Sequence, residues 1–359
     1  INNANVDFNM RSLFMLRSIN RWLSVRLQFI GSLVVWSSST LLIYKTTTSS
    51  PISAGMAGFV MSYALQVTDT FKKMVRMSAE VEANLVAVER CLEYCELPTE
   101  EDENVPLIKP TIGWPQHGAI DIHDYSTKYA KNLDPVLKNI SLSIASGEKI
   151  GVVGRTGAGK SSLVLAVFRM IPPTSGSICI DGIDTSKLSL FDLRHNLSII
   201  PQDSHLFEGT LRQNLDPFSE HDDDKLWEVL AHSHLKQTVV ELGEGLESKV
   251  KEGGSNFSAG QRQLLCLGRA LLNTSKVLML DEATAAVDVQ TDKVIQSTIR
   301  AEFKEKTIVT IAHRLDTVMD CDRILSLDHG EVKEFDTPEN LLKNTSGIFY
   351  NLCKQGNYI

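Results

Sequence analysis

The segment from Gly154 to Ser161 limits the possible folds of this chain more than any other, because it reads GRTGAGKS and fits the pattern G-x-x-x-x-G-K-[ST]. The apolar, β-branched run 149–153 precedes it, and the run 162–168 continues with helical character. This order of strand, loop and helix predicts a P-loop, in which backbone N–H groups and the helix N-terminus bind phosphates. Lys160 then reaches the β- and γ-phosphates, and the Ser161 hydroxyl ligates Mg²⁺. A glycine-rich turn without a ligand is the alternative.

The composition is that of an acidic chain long enough for two domains, with 359 residues and a formal net charge of −8. That charge argues against binding to nucleic acid. The six cysteines are widely spread and form no C-x-x-C pair, which favours a reducing compartment over a disulfide framework. Cys91 and Cys95 lie one helical turn apart, but the sequence places no histidine or third cysteine near them to complete a metal site. The chain opens at Ile1 within a helical pattern and without a signal peptide, so we expect it to be the C-terminal part of a longer protein.

Two apolar segments in the first hundred residues predict a pair of membrane helices. Leu27–Tyr44 carries no charged residue and is as long as a minimal span, although its hydroxyl-rich run 37–40 leaves a buried helix of a soluble domain as the alternative. Ile52–Leu65 follows a short loop and carries small residues at 55, 57 and 58 that suit close helix contacts. Basic residues flank both outer ends and the loop holds only Lys45, which predicts that both outer ends are cytosolic.

These segments divide the chain into three expected parts. Residues 1–97 form the end of a transmembrane domain, with helices over about 10–44 and 52–97, the second of which continues into water. The acidic, proline-bearing stretch 98–118 forms a linker. From 119 to 359, strands alternate with helices, as in an α/β domain.

Two apolar strands in the third part lead to side chains with possible catalytic chemistry. The first, 276–280, leads to Asp281 and Glu282, and the second, 307–312, leads to His313. Because parallel strands end at the edge of the sheet that carries the P-loop, we expect both ends beside the phosphates. There Asp281 would hold the Mg²⁺ shell, Glu282 would polarise the attacking water, and His313 would reach the γ-phosphate. Without the upstream P-loop, an apolar strand that ends in Asp-Glu would be a common chance pattern. A histidine at the end of a strand would be an ordinary surface or core residue.

The motif Ser258-Ala-Gly-Gln-Arg-Gln263, preceded by Glu-Gly-Gly at 252–254, resembles the signature of ATP-binding cassette proteins. Gln202 lies in a segment similar to that family's Q-loop, 285–288 is similar to its D-loop, and His313 stands at its switch histidine. The resemblance implies an α/β P-loop NTPase with a RecA-like core, an antiparallel β subdomain and a helical signature subdomain, preceded by an all-α transmembrane segment. It also implies that the signature residues cap the γ-phosphate of ATP held by an opposite cassette, so that ATP joins two cassettes head to tail.

The P-loop, Phe207–Thr210 and Asp281–Asp288 resemble more specifically the second cassette of subfamily C, the multidrug-resistance-associated proteins, including fungal vacuolar glutathione-conjugate pumps. In that family an aromatic ring at the position of Tyr129 stacks on adenine, with Tyr125 as a rival. The family's first cassette often lacks the carboxylate that Glu282 provides, which implies that this P-loop belongs to the hydrolytic site. Phe257 replaces the usual Leu of the signature, and Ala259 replaces the usual Gly or Val. Neither change removes the serine or the glycine, so we expect only a modest effect on the signature.

The resemblance also implies the remaining site residues. Arg21 and Arg76 fall where the family places cations facing anionic substrate groups, with snorkelling to the membrane interface as the alternative. Lys73 stands where some relatives carry an aromatic residue, which puts steroid-glucuronide transport in doubt. Gln202 is implied both in catalysis and, with Ser161 and Asp281, in the Mg²⁺ shell. The implied nucleotide contacts are Tyr129, Gly154, Arg155, Thr156, Gly157, Ala158, Gly159, Lys160, Ser161, Ser162, Ser258, Gly260 and Gln261.

The expected function is therefore that of the ATP-hydrolysing half of an exporter, with ATP and Mg²⁺ as cofactors and organic anions such as glutathione conjugates as substrates. Its expected partners are the first nucleotide-binding domain and remaining membrane helices of the same protein and the lipid membrane, with no nucleic acid. A vacuolar membrane is favoured, with the plasma membrane as the alternative. The other classes considered are an ATP-gated channel or channel regulator of the same subfamily and a soluble cassette ATPase.

Overall fold

The computed structural model describes residues 2–48, 52–97, 99–101, 107–130, 132–281, 287–311, 315–356 and 358. The chain divides into two units, Ile1–Glu100 and Glu101–Ile359.

The first unit is a pair of long helices, α1 (Asn2–Thr48) and α2 (Ala54–Cys95). They contact each other along their length, and the Ser39 hydroxyl donates to the Met61 sulfur at 3.4 Å. Helix α1 extends four residues beyond the expected end at Tyr44, and within this extension the hydroxyls of residues 46–48 donate to carbonyl oxygens one turn earlier. The hydroxyls of residues 37–40 bond within the helix in the same way, so the polar run does not interrupt it.

Among the described residues, one helix is long and apolar enough to cross a membrane, over Leu13–Thr48. The uncharged stretch at the start of α2, from 54 to 68, is 15 residues long and ends at Asp69, which is shorter than the roughly 20 residues of a typical span. A Cβ on Gly55 or Gly58 would meet nothing within 4 Å, so these small residues do not mediate the contact with α1. The second membrane helix therefore stays a prediction.

The second unit is an α/β domain, and it confirms the predicted fold class. Its strands are β1 (Ile120–Thr127), β2 (Leu137–Ile144), β3 (Lys149–Val153), β4 (Pro173–Ile180), β5 (Ile183–Asp184), β6 (Ser198–Ile200), β7 (Gly209–Thr210), β8 (Lys249–Val250), β9 (Val277–Asp281), β10 (Thr307–Ile311), β11 (Arg323–Asp328) and β12 (Glu331–Asp336). Its α-helices are α3 (Lys160–Val167), α4 (Leu190–His195), α5 (Leu211–Leu215), α6 (Asp223–His232), α7 (Lys236–Glu241), α8 (Ala259–Leu272), α9 (Val289–Glu302), α10 (Leu315–Met319), α11 (Pro338–Lys343) and α12 (Ile348–Gln355).

The main sheet has the strand order β12-β11-β3-β10-β9-β6. All neighbours in it are parallel except β11 and β12, which form a hairpin. In the centre, Ile311 of β10 lies in register with Val152 of β3 and with Asp281 of β9. The P-loop that follows β3 and the carboxylate that ends β9 therefore lie at the same edge of the sheet, as the sequence predicts.

A smaller antiparallel sheet, β2-β1-β4-β5, forms the β subdomain. Its inward side chains pack with α3 and one face of the main sheet in one hydrophobic core, which includes Ile140 and Ile180. A second core lies on the other face of the main sheet, among α5 to α9, and includes Leu226 and Leu267. The helical signature subdomain thus has a core of its own.

The expected linker 98–118 differs between its two ends. Residues 98 and 102–106 lie outside the described residues, but Trp114 is buried and its indole N–H donates to the Ile180 carbonyl at 3.1 Å. The carboxylate of Asp181 accepts from the amides of His117 and Ala119, and these hydrogen bonds lower its pKa against the opposing effect of burial. The segment from 107 to 118 therefore packs as part of the cassette unit.

Lys306 is a half-buried cation whose charge makes the stability of the second unit depend on pH. Its ammonium donates to the Asn273 carbonyl at 2.8 Å and lies 4.9 Å from the centre of the Phe303 ring; burial, with repulsion from Lys276, lowers its pKa from 10.5 to about 8. Below pH 8 the group is charged in the folded and unfolded chain alike, so the cost of burial is fully present. Between pH 8 and 10.5 the folded chain loses its proton first, so we expect stability to rise with pH.

Lys306→Met should remove that dependence and raise the free energy of unfolding at pH 7. We expect an increase of only about 1–2 kcal/mol, because the side chain is half-buried and solvent screens part of its charge. Denaturant unfolding at pH 7 and pH 10 measures it, with the exposed Lys304→Met as the matched control. If Lys306→Met raises the free energy of unfolding by the same amount at pH 7 and pH 10, the prediction is wrong.

Candidate nucleotide-binding site

The loop between β3 and α3 has a backbone that only glycine adopts without strain. Gly154 has φ +152°, and a Cβ there would lie 2.3 Å from the Leu327 carbonyl oxygen. Gly159 has φ +102° and is the N-cap of α3, with no side chain among the described residues capping the helix. The first N–H groups of α3 thus face the loop, which is the arrangement that binds an anion at a helix N-terminus.

Lys160 is held over this loop. Its side chain is buried at 6% exposure, and its ammonium donates to the carbonyl oxygens of Gly154 at 2.8 Å and Arg155 at 3.1 Å. Arg155, Thr156 and Gly157 are exposed at the rim of the loop, and Ala158 is buried beneath it. The positive charge is therefore fixed where the loop would receive phosphates.

A hydroxyl and a carboxylate meet next to this loop. Ser161 begins the exposed side of α3, and its Oγ donates to Oδ1 of Asp281, at the end of β9, at 3.3 Å. The two residues are 120 positions apart in the chain, and the parallel order of the strands brings them together. Paired oxygen donors of this kind are the ligands that Mg²⁺ prefers.

The structure separates the two tyrosines proposed for adenine. Tyr125 is buried at 3% exposure in the core of the β subdomain, and burial raises the pKa of its hydroxyl. Tyr129 is 55% exposed, and its hydroxyl lies 3.0 Å from that of Ser162, two residues after Lys160. Of these two tyrosines, Tyr129 is the one that is exposed to solvent next to the start of α3.

The signature residues Ser258 and Gln261 form a capping box at the start of α8. Ser258 Oγ accepts from the Gln261 amide at 3.1 Å, and Gln261 Oε1 accepts from the Ser258 amide at 2.9 Å. Gly260 is buried behind them. Phe257 is also buried, at 5% exposure in the second core, so this departure from the usual leucine is a packing substitution. Whether these residues reach a nucleotide stays a prediction.

Gln263, one turn further along α8, has a role that the sequence reasoning missed. It is 2% exposed; its amide donates to the Pro201 carbonyl at 3.3 Å, and its amide oxygen accepts from the Ser204 hydroxyl. It therefore ties the loop that carries Gln202, which is itself exposed, to the signature helix. A polar residue on the apolar face of α8 is the feature of the sequence that indicates such a role.

Two predicted catalytic residues, Glu282 and His313, lie outside the described residues. The strands that lead to them, β9 and β10, end in register beside the P-loop. Asp288, at the end of the expected D-loop, caps α9 by accepting from the amides of Gln290 and Thr291.

The two predicted substrate residues lie on the helices of the first unit. Arg21 is exposed on α1. Arg76 on α2 forms an ion pair with Glu80 at 3.4 Å, in which both side chains are more than half exposed. This pair partly neutralises the cation expected to face a substrate, so the role of Arg76 stays a prediction.

A glycine-rich loop with its lysine, a following helix whose N-cap is a glycine and an acidic side chain at the end of a parallel strand of the same sheet define a P-loop NTPase domain. Residues 137–285 match the ABC transporter family. Over its full length the chain is 50% identical to bile pigment transporter 1 and 51% identical to metal resistance protein YCF1, both of Saccharomyces cerevisiae, and covers 24% of each. It is 50% identical over 99% of its length to ATP-binding cassette sub-family C member 2 of Rattus norvegicus and covers 23% of that protein.

The structure of a bacterial Atm1-family ABC exporter with ATP bound matches 92% of this chain and 57% of that one, with a TM-score of 0.78 and 26% identity. The chain belongs to the ATP-binding cassette transporters, in subfamily C. It spans about a quarter of the length of the curated relatives named above.

The two tyrosines give a test of the nucleotide site. Tyr129→Ala should weaken ATP binding by about 2- to 10-fold, because it removes one stacking surface, whereas Tyr129→Phe should bind nearly as well as the parent. Tyr125→Ala should lower the free energy of unfolding by about 3 kcal/mol instead, because it leaves a cavity. Fluorescent-nucleotide titration and denaturant unfolding measure the two effects, and equal affinity of the parent and Tyr129→Ala would exclude stacking at this position.

Proposed function

We propose that this chain is the ATP-binding and ATP-hydrolysing part of an exporter that moves organic anions, such as glutathione conjugates, across a membrane. The observation that carries the proposal is the approach of the Ser161 hydroxyl to the Asp281 carboxylate at 3.3 Å beside the P-loop. A fold alone does not define an activity, but this pair of oxygens at the end of the sheet is the arrangement that phosphoryl transfer needs.

The residues of the site fit ATP and Mg²⁺. The loop backbone, Lys160 and the start of α3 would hold the phosphates, with the ring of Tyr129 against adenine. Ser161, Asp281 and Gln202 would hold the cation, which supplies neutralisation of charge on the phosphates. Glu282 would accept a proton from the attacking water, and His313 would donate a hydrogen bond to the γ-phosphate. Lys160, already fixed over the loop, adds positive charge at no cost in ordering.

We infer the head-to-tail arrangement of the two cassettes and the class of cargo from the similarity to subfamily C. We propose that the first cassette of the same protein supplies a signature opposite this P-loop, and that Ser258, Gly260 and Gln261 serve the other site. Among the relatives reported above, two have names that refer to bile pigment and to metal resistance, which we take as support for an anionic or conjugated cargo. We propose the vacuolar membrane, with the plasma membrane as the alternative, from the resemblance to fungal vacuolar pumps. Arg21 and Arg76 would face the cargo's negative groups.

The cation site gives a prediction about Mg²⁺ dependence. Ser161→Ala should raise the Mg²⁺ concentration needed for half-maximal ATPase activity by about 10-fold or more, because one oxygen ligand is lost. Ser161→Thr keeps the hydroxyl and should remain near the parental value. ATPase assays over a range of free Mg²⁺ measure the effect, and an unchanged Mg²⁺ requirement in Ser161→Ala would remove this serine from the cation site.

Transport itself is tested with the full-length protein in inside-out vesicles and a labelled glutathione conjugate. We expect ATP-dependent uptake that Glu282→Gln abolishes while ATP remains bound, and that Lys160→Ala abolishes together with ATP binding. ATPase activity without uptake against a gradient would reject the organic-anion pump and favour a channel or regulator. Retained ATPase activity in both variants would reject the assignment of the site.

A further inference from the structure

The start of the signature helix touches the start of α9 at one side chain. Gly260 is the second residue of α8, and a Cβ built on it would lie 3.0 Å from Cγ2 of Thr291 and 3.3 Å from its Oγ1. A contact this close means that the Thr291 side chain rests directly on the backbone of Gly260, with no room for a further methyl group.

The other side of the same threonine holds the end of the D-loop. Thr291 Oγ1 donates to Oδ2 of Asp288 at 2.8 Å, and the Thr291 amide donates to Oδ1 at 3.0 Å. These hydrogen bonds lower the pKa of the exposed Asp288 carboxyl against a smaller opposing effect of desolvation. The hydroxyl thus fixes the aspartate, while the methyl group fixes the signature helix.

Ser258 and Asp288 are thereby joined through a short path. Ser258 caps α8 two residues before Gly260, Gly260 rests on Thr291, and Thr291 binds Asp288. In the head-to-tail arrangement proposed above, Ser258 serves the nucleotide of the opposite cassette, and Asp288 ends the segment that is similar to the family's D-loop. We propose that Thr291 is a positioning residue that couples the signature serine to the D-loop aspartate of the same cassette. This inference rests on the proposed function.

An ordinary capping role for Thr291 makes a different prediction. A threonine at the third position of a helix whose N-cap is an aspartate needs only its hydroxyl and amide to satisfy the cap. Thr291→Ser keeps both and removes the methyl group that touches Gly260, whereas Thr291→Val keeps the methyl contact and removes the hydroxyl. If Thr291 acts only as a cap, ATP hydrolysis should be slower in Thr291→Val alone. If it couples the two segments, ATP hydrolysis should be slower in both variants.

The experiment uses the full-length protein with each variant, and the exposed Ser297→Ala on the same helix as the matched control. We expect both Thr291 variants to lower the kcat of ATP hydrolysis per folded molecule by about 3- to 10-fold, with the KM for ATP within about twofold of the parent. Hydrogen exchange of a peptide over the start of α8 should be faster in both, because the capping box of Ser258 and Gln261 loosens. Ser297→Ala should match the parent in both measurements.

Parental kcat and parental exchange in Thr291→Ser would overturn the proposal and leave Thr291 as a cap. Faster exchange with parental kcat would also overturn it, since the contact would then be structural only. If the parent protein hydrolyses no ATP, the proposed function fails, and the exchange of Thr291→Ser alone decides whether the two segments are coupled.

Discussion

The parallel pairing of β10 between β3 and β9 is the constraint on which the site depends. Its register sets Ile311 level with Val152 and with Asp281, so the chain leaves β3 into the P-loop at the same height at which β9 presents its carboxylate. A slip of one residue would turn every side chain of the strand to the opposite face. Because the two faces bury different cores, such a slip is strongly opposed, and the approach of Ser161 to Asp281 follows from the packing of the sheet.

The signature serine shows how one side chain can serve the fold and a ligand together. A hydroxyl has one donor and two acceptor lone pairs. In α8, Ser258 Oγ accepts from the Gln261 amide, which leaves its O–H and a second lone pair for other partners. The cap fixes the direction of the hydroxyl in advance, so binding an anionic oxygen there would require little further ordering.

The sequence predicts the local motifs of this cassette better than its long-range contacts. The P-loop and the acidic end of β9 are contiguous patterns with a mechanism, and the structure brings them together. The choice between Tyr125 and Tyr129 could not be made in the same way, because β1 carries register irregularities on both sides of Tyr125 and buries Tyr125, Ser126 and Thr127 in succession. Strict alternation fails at such a bulge. The packing of Trp114 and the bridge made by Gln263 depend on partners 59 or more residues away, which no local pattern contains.

The side chains of β9 point alternately into the two cores, so this strand links the site to the packing on both faces of the sheet. Val277 and Met279 belong to the core shared with the β subdomain, while Leu278 and Leu280 belong to the core of the signature subdomain. Close-packed interiors transmit displacement, since neither face can open a gap without losing contacts. The signature subdomain is attached to this strand by packing, to the loop that carries Gln202 by Gln263 and to Asp288 by the contact of Thr291 with Gly260. In the two-cassette arrangement that we propose, a movement of α8 driven by a nucleotide at the opposite cassette would therefore reach Asp281, Gln202 and Asp288 together, as coupled hydrolysis at two sites would require.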